Sequence, residues 1–111
     1  VLERSLSGYG CDAKVAAAED GKALGQGIKL TDLKFIASHQ ANKRIMSTVA
    51  RQLDFPEDHM LSNIEEVGNT GCPSCAITLS QNLDRVDHGD LVALSVFGGG
   101  YSCGAVLLQF L

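Results

Sequence analysis

The sequence has no basic cluster. Its 9 Lys and Arg are scattered among 13 Asp and Glu, for a formal net charge of −4. That balance argues against a nucleic-acid binder and against a membrane-surface binder, both of which need grouped cations. No apolar run reaches the roughly 18 residues that a bilayer-crossing helix requires, and nothing at the start reads as a signal peptide. The 4 cysteines follow no framework spacing, which points to a reducing, cytoplasmic setting rather than a disulfide scaffold. Internal repeats and low-complexity tracts are absent too. No initiator Met precedes Val1, so the chain can be a piece of something longer.

What remains is enough for one globular domain with one core: 111 residues, 45% of them hydrophobic. Residues 12–26, DAKVAAAEDGKALGQ, are Ala-rich and Asp-initiated, with Gly27 placed to close them, and predict a helix. LKFIAS (33–38) predicts a buried strand. From Ala41 to Leu53 the apolar residues Ala41, Ile45, Met46, Val49, Ala50 and Leu53 recur at helical spacing, and Pro56 is expected to end that helix. HMLSNI (59–64) predicts a short second strand. A Gly-rich loop follows, then a helix carrying Ala76, Ile77, Leu79, Leu83 and Val86, with Pro73 in its first turn. On that helix the apolar residues form one face, while Cys72, Cys75, Thr78 and Ser80 make the other side small and weakly polar. DLVALSVF (90–97) and YSCGAVLLQF (101–110), joined through GGG (98–100), predict an antiparallel pair.

The expected order is α-β-α-β-α-β-β, an α/β layered domain with a mixed sheet. In such sheets, functional groups gather beyond the carboxyl ends of the strands. Three loops are expected there: Ser38 to Asn42, Val67 to Gly71 and Gly98 to Gly100. They would bring one imidazole, one side-chain amide and a run of exposed backbone N–H groups to one rim. A histidine can act as base, acid or donor, and Asn69 offers an NH₂ donor from a tightly bent loop. Taken singly, each has a plainer reading: His39 as a packing or cap residue, Asn69 as the cap of the next helix, the glycines as a hairpin turn. Together they suit an oxyanion or enolate.

Three stretches, SHQANKRI (38–45), VGNTGCPSCAI (67–77) and GDLVALSVFGGGYSCGAVLLQF (89–110), resemble the C-terminal half of β-ketoacyl-acyl-carrier-protein synthase III enzymes. The resemblance runs from about Gly27 to the last residue. It implies the second half of a thiolase-like fold, with a Cys-His-Asn triad whose cysteine lies in the absent N-terminal half. His39 matches the triad histidine and Asn69 the triad asparagine. Gly99 matches the glycine whose N–H joins the oxyanion hole, Asn42 a residue that binds pantetheine or coenzyme A, and Arg44 a basic residue that docks the acidic carrier protein. The implied reaction condenses acyl-coenzyme A with malonyl-acyl-carrier protein, with loss of carbon dioxide, in fatty acid biosynthesis. Secondary metabolism, or a non-catalytic partner subunit, stand as alternatives. No metal or cofactor is implied beyond the thioester substrates, and a homodimer is. The sequence departs from the family pattern at Ser38, Lys43 and Cys103, where Pro, an apolar residue and Trp are usual.

Cys72 and Cys75 fall where the family has small residues, so packing is the simpler role for them than redox chemistry. A zinc site would need two further ligands, and there is no second CxxC and no HxxxH. His59 and His88 are expected in solvated turns, and Glu65–Glu66 on a solvated face. No partner for Cys11 can be named.

Overall fold

The computed structural model describes residues 29–100 and 102–110. The helix expected over residues 12–26, Cys11 and the first α of the expected order lie outside them.

LKFIAS forms strand β1 (Leu33–Ser38). Leu33, Phe35, Ile36 and Ala37 are all buried, because helices cover both sides of a parallel sheet and leave no strand face for polar residues. Phe35 and Ala37 pack on one face, and Leu33 and Ile36 on the other. Strict alternation would separate Leu33 from Ile36. A register shift between Leu33 and Phe35 in the pairing with the neighbouring strand puts them back together.

The next helix, α1, spans Lys43–Leu53. Asn42 is its N-cap, accepting the N–H of Arg44 at 2.8 Å, which satisfies one orphan donor of the first turn. Met46, Ala50 and Leu53 form its buried stripe, and Ala50 and Leu53 pack with Leu33, Ile36, Phe55, Met60 and Ala93. Pro56 does not end it. Asp54 does, in the left-handed conformation at φ 51°, with its N–H returned to Ala50 and Arg51; aspartate tolerates that region better than most side chains.

Strand β2 is only Met60–Leu61, shorter than the six residues expected. Beyond it, Asn63 occupies the N-cap position of a four-residue helix, α2 (Ile64–Val67), with no side-chain bond to it. After Gly68, at φ 68°, and Gly71, at φ 71°, the chain enters α3 (Ser74–Ser80), with Pro73 as the cap residue. This helix stops well before Val86, and Leu83–Arg85 form a separate 3₁₀ turn. Its burial does not divide along the apolar and small faces expected. Ser74, Cys75 and Thr78 are buried against the sheet, whereas Ala76 and Leu83 are exposed.

Strands β3 (Leu91–Gly98) and β4 (Ser102–Gln109) pair antiparallel around the glycine turn, as expected. The sheet order is β2-β1-β3-β4, with β1 parallel to β2 and β3. Helix α1 covers one face through the Ile36–Ala93 cluster. On the other face, Leu79 and Val86 pack on Phe35, Ala37, Leu61 and Val92. The domain is thus a layered α/β unit with a mixed sheet. His59 lies in a turn, the 3₁₀ segment Glu57–His59, and its partly exposed ring also rests against Phe35 and Phe55.

Candidate functional site at the carboxyl ends of the strands

The first parallel strand delivers His39 directly. Its backbone N–H is held by the Ser95 carbonyl of β3 at 2.8 Å, so the turn out of β1 is anchored to the next strand. Its half-buried ring meets Phe97 edge-on, with centroids 5.5 Å apart and planes at 80°. Nδ1 lies 2.8 Å from Ser74 Oγ, at the start of α3. One imidazole therefore touches groups from all three loops or their flanks: its own, the one leading into α3, and the end of β3 just before the glycines.

Gln40, the next residue, has no exposed surface. Its side-chain NH₂ donates to the carbonyls of Ser38 (2.9 Å) and Leu61 (3.1 Å), and its oxygen accepts the N–H of Asn63 at 3.1 Å. All the hydrogen-bonding atoms of this buried amide are employed, as burial demands. It ties the exits of β1 and β2 together. Neither Gln40 nor Ser74 was singled out from the sequence. The available signal was their place beside His39 and inside the loop that carries Asn69.

Asn69 is exposed, and its Oδ1 accepts the N–H of Gly71 at 2.9 Å. It is not the helix cap. The bond closes a tight turn, and its NH₂ is left as the group to offer. Gly99 is exposed, and a side chain there would meet nothing within 4 Å. Among the described residues, His39 has no direct hydrogen bond to Asn69 or Gly99; Ser74 and Phe97 are its ring partners. Two of the polar atoms nearby in sequence, Ser38 Oγ and Thr70 Oγ1, are buried without a partner.

Asn42 and Arg44 lie at the start of α1, both exposed. Capping occupies Asn42 Oδ1 and leaves its NH₂. Lys43 is ion-paired with Glu65, whose hydrogen bond, and then whose charge, raise the lysine pKa. Arg44 and Arg51 line a shallow open depression with Lys43, Ser47 and Thr48, and among the described residues no carboxylate pairs with either arginine. Cys72 is exposed and Cys75 buried, both as free thiols. Cys75 donates to the Ser95 carbonyl at 3.5 Å, and burial pushes its pKa up, which suits packing and opposes thiolate chemistry. Cys103, on β4, is half-buried. No group of three or more metal-ligating side chains occurs among the described residues, and no described helix is long and apolar enough to cross a membrane.

With this geometry in place, the family described as 3-oxoacyl-[acyl-carrier-protein (ACP)] synthase III C terminal matches residues 25–110. The chain belongs to that family. A β-ketoacyl-[acyl-carrier-protein] synthase III 1 of Bacillus cereus is 40% identical over 86 residues, which are 76% of this chain and 28% of that protein. The crystal structure of the synthase III from Aquifex aeolicus VF5 superposes with a TM-score of 0.74 at 35% identity, covering 80% of this chain and 30% of that one. The corresponding enzyme from Pseudomonas aeruginosa PAO1 gives 0.67 at 41% identity, over 71% and 25%. The fold is therefore part of a thiolase-like synthase III fold. The chain spans less than a third of the length of these relatives.

Proposed function

We propose that this domain is the C-terminal part of a β-ketoacyl-acyl-carrier-protein synthase III, where it supplies the donors for the decarboxylating half of the condensation. The observation that carries this reading is the three-point hold on His39, at the rim where the Asn69 loop and the glycine turn also emerge. A preorganised donor needs such a hold, since it cannot reorient as charge develops.

In the proposed sequence, a cysteine thiol outside this chain takes an acyl group from acyl-coenzyme A, releasing coenzyme A. Malonyl-carrier protein then binds and loses carbon dioxide. The electron pair left behind delocalises onto the thioester oxygen, where His39 and the Asn69 NH₂ donate. The enolate carbon attacks the acyl carbonyl, and the cysteine sulfur leaves as thiolate. During that attack the N–H of Gly99 faces the acyl oxygen. Asn42 would hold the pantetheine arm through its NH₂, and Arg44 would meet the acidic carrier protein. No cofactor or metal enters this scheme. The intact protein is proposed to act in the cytoplasm as a homodimer.

The test separates the half-reactions in the intact protein. His39→Ala and Asn69→Ala are expected to slow malonyl-carrier decarboxylation by about 10²–10³, as loss of one such donor does. Acylation of the cysteine should fall much less, because the enolate forms only afterwards. Equal losses in both steps would refute the donor roles.

A further inference from the structure

Of the three contacts on His39, one decides which ring nitrogen carries a proton. Nδ1 is 2.8 Å from Ser74 Oγ. Ser74 is fully buried, and its oxygen also accepts the backbone N–H of Gln40 at 3.3 Å. A serine hydroxyl has a single proton to give and two lone pairs.

Two arrangements fit these atoms. In the first, Nδ1–H donates to Ser74, whose own proton must then find another acceptor. Among the described residues, the hydrogen bonds of that hydroxyl are the ones with His39 and Gln40, so the proton would be left without an acceptor. In the second, Ser74 gives its proton to the imidazole nitrogen, a strong acceptor, while Gln40 occupies a lone pair of its oxygen. Every group is then satisfied, as is usual for buried polar atoms. Gln40 has little freedom to do otherwise, because its side chain is fixed at three points.

We propose that Ser74 is a positioning residue: by donating to Nδ1 it holds the imidazole in the tautomer protonated on Nε2 and so makes His39 a hydrogen-bond donor toward the thioester oxygen. This rests on the donor role given to His39 above. Ser74 itself is buried at the Nδ1 edge of the ring and acts through it.

Nitrogen-15 NMR of the histidine side chains in the intact protein tests this directly. Neutral His39 should show a protonated Nε2 and an unprotonated, hydrogen-bond-accepting Nδ1. In Ser74→Ala both tautomers should be populated. Malonyl-thioester decarboxylation should fall roughly 10–100-fold, the loss seen when outer partners orienting metal-bound histidines are removed, with KM less affected than kcat. A wild-type ring protonated on Nδ1, or a Ser74→Ala ring that stays wholly on the Nε2–H form, would overturn the proposal. If Ser74→Ala does not fold, the wild-type spectrum alone decides. His39→Ala, run in parallel, separates the two ideas: unimpaired decarboxylation there would sink the donor role of His39, while the spectrum would still judge Ser74.

Discussion

Gln40 donates its side-chain amide to the carbonyl of Leu61 at 3.1 Å, so one buried residue from the exit of β1 closes the exit of β2. Gln40→Ala would strand that carbonyl, the Ser38 carbonyl and the Asn63 N–H without partners. Each unsatisfied buried group costs about 1–3 kcal/mol, and water entering the space left would recover part of it. A net loss of roughly 2–5 kcal/mol is expected, read as a lower urea midpoint with little change in slope. A midpoint within experimental error of the wild type would show that the staple is dispensable.

Arg44 should matter to one substrate and not to another. An exposed cation beside the site steers an acidic partner and does little for a small thioester. In the intact protein, Arg44→Glu is expected to raise KM for carrier-borne malonate severalfold or more and to leave KM for a coenzyme A thioester nearly unchanged. Parallel changes in both would remove the docking role.

Cys75 gives stability a pH dependence. Burial raises its pKa in the folded state, so the unfolded chain loses this proton first as pH rises. Its contribution is therefore fully present below the ordinary thiol pKa and is lost as pH climbs from there through the folded value. Urea midpoints should fall over that alkaline window, and Cys75→Ala should flatten the fall. Cys72, being exposed, should react with a thiol reagent in the native state, while Cys75 waits for unfolding.

The 111-residue chain by itself is expected to lack condensing activity and to self-associate. Val67, Leu83, Val96 and Val106 are large apolar residues left exposed in the chain as it stands, and such surfaces find partners when they are contiguous. Sedimentation at micromolar concentration checks the second point: a clean monomer that binds no hydrophobic dye would contradict it. Carbon–carbon bond formation by the purified chain would contradict the first.

Much of this architecture was legible in the sequence, and the reason differs by element. In β1 and α1, burial follows side-chain hydrophobicity, so apolar periodicity reports the fold; the β3–β4 pair is legible as two apolar runs joined by glycines, although Val96 and Val106 stay exposed. Boundaries set by side-chain hydrogen bonds were not visible that way. Strand β2 ends early where Asn63 turns to bond Gln40, and α1 stops on a backbone conformation at Asp54 rather than on Pro56. Helix α3 misled because Ser74 and Thr78 read as polar yet are wholly buried; Thr78 answers its own hydroxyl by bonding the Ser74 carbonyl at 2.7 Å. The site loops were placed at the correct end of the sheet. Ser74, which completes the hold on His39, was hidden by being an ordinary serine in a helix.

The small residues on the inner side of α3 act as a spacer of fixed thickness. With Ser74, Cys75 and Thr78 buried between the first turns of the helix and the sheet, the helix backbone can lie low there over β1 and β3. Ser74 rides on that backbone, whereas His39 is fixed to the strands. A bulkier residue at Cys75, such as Leu, would overfill the layer and lift the helix. The Ser74–His39 hydrogen bond would then lengthen although neither partner had changed. Chemistry at the rim is thus gauged by side-chain volume one layer below it.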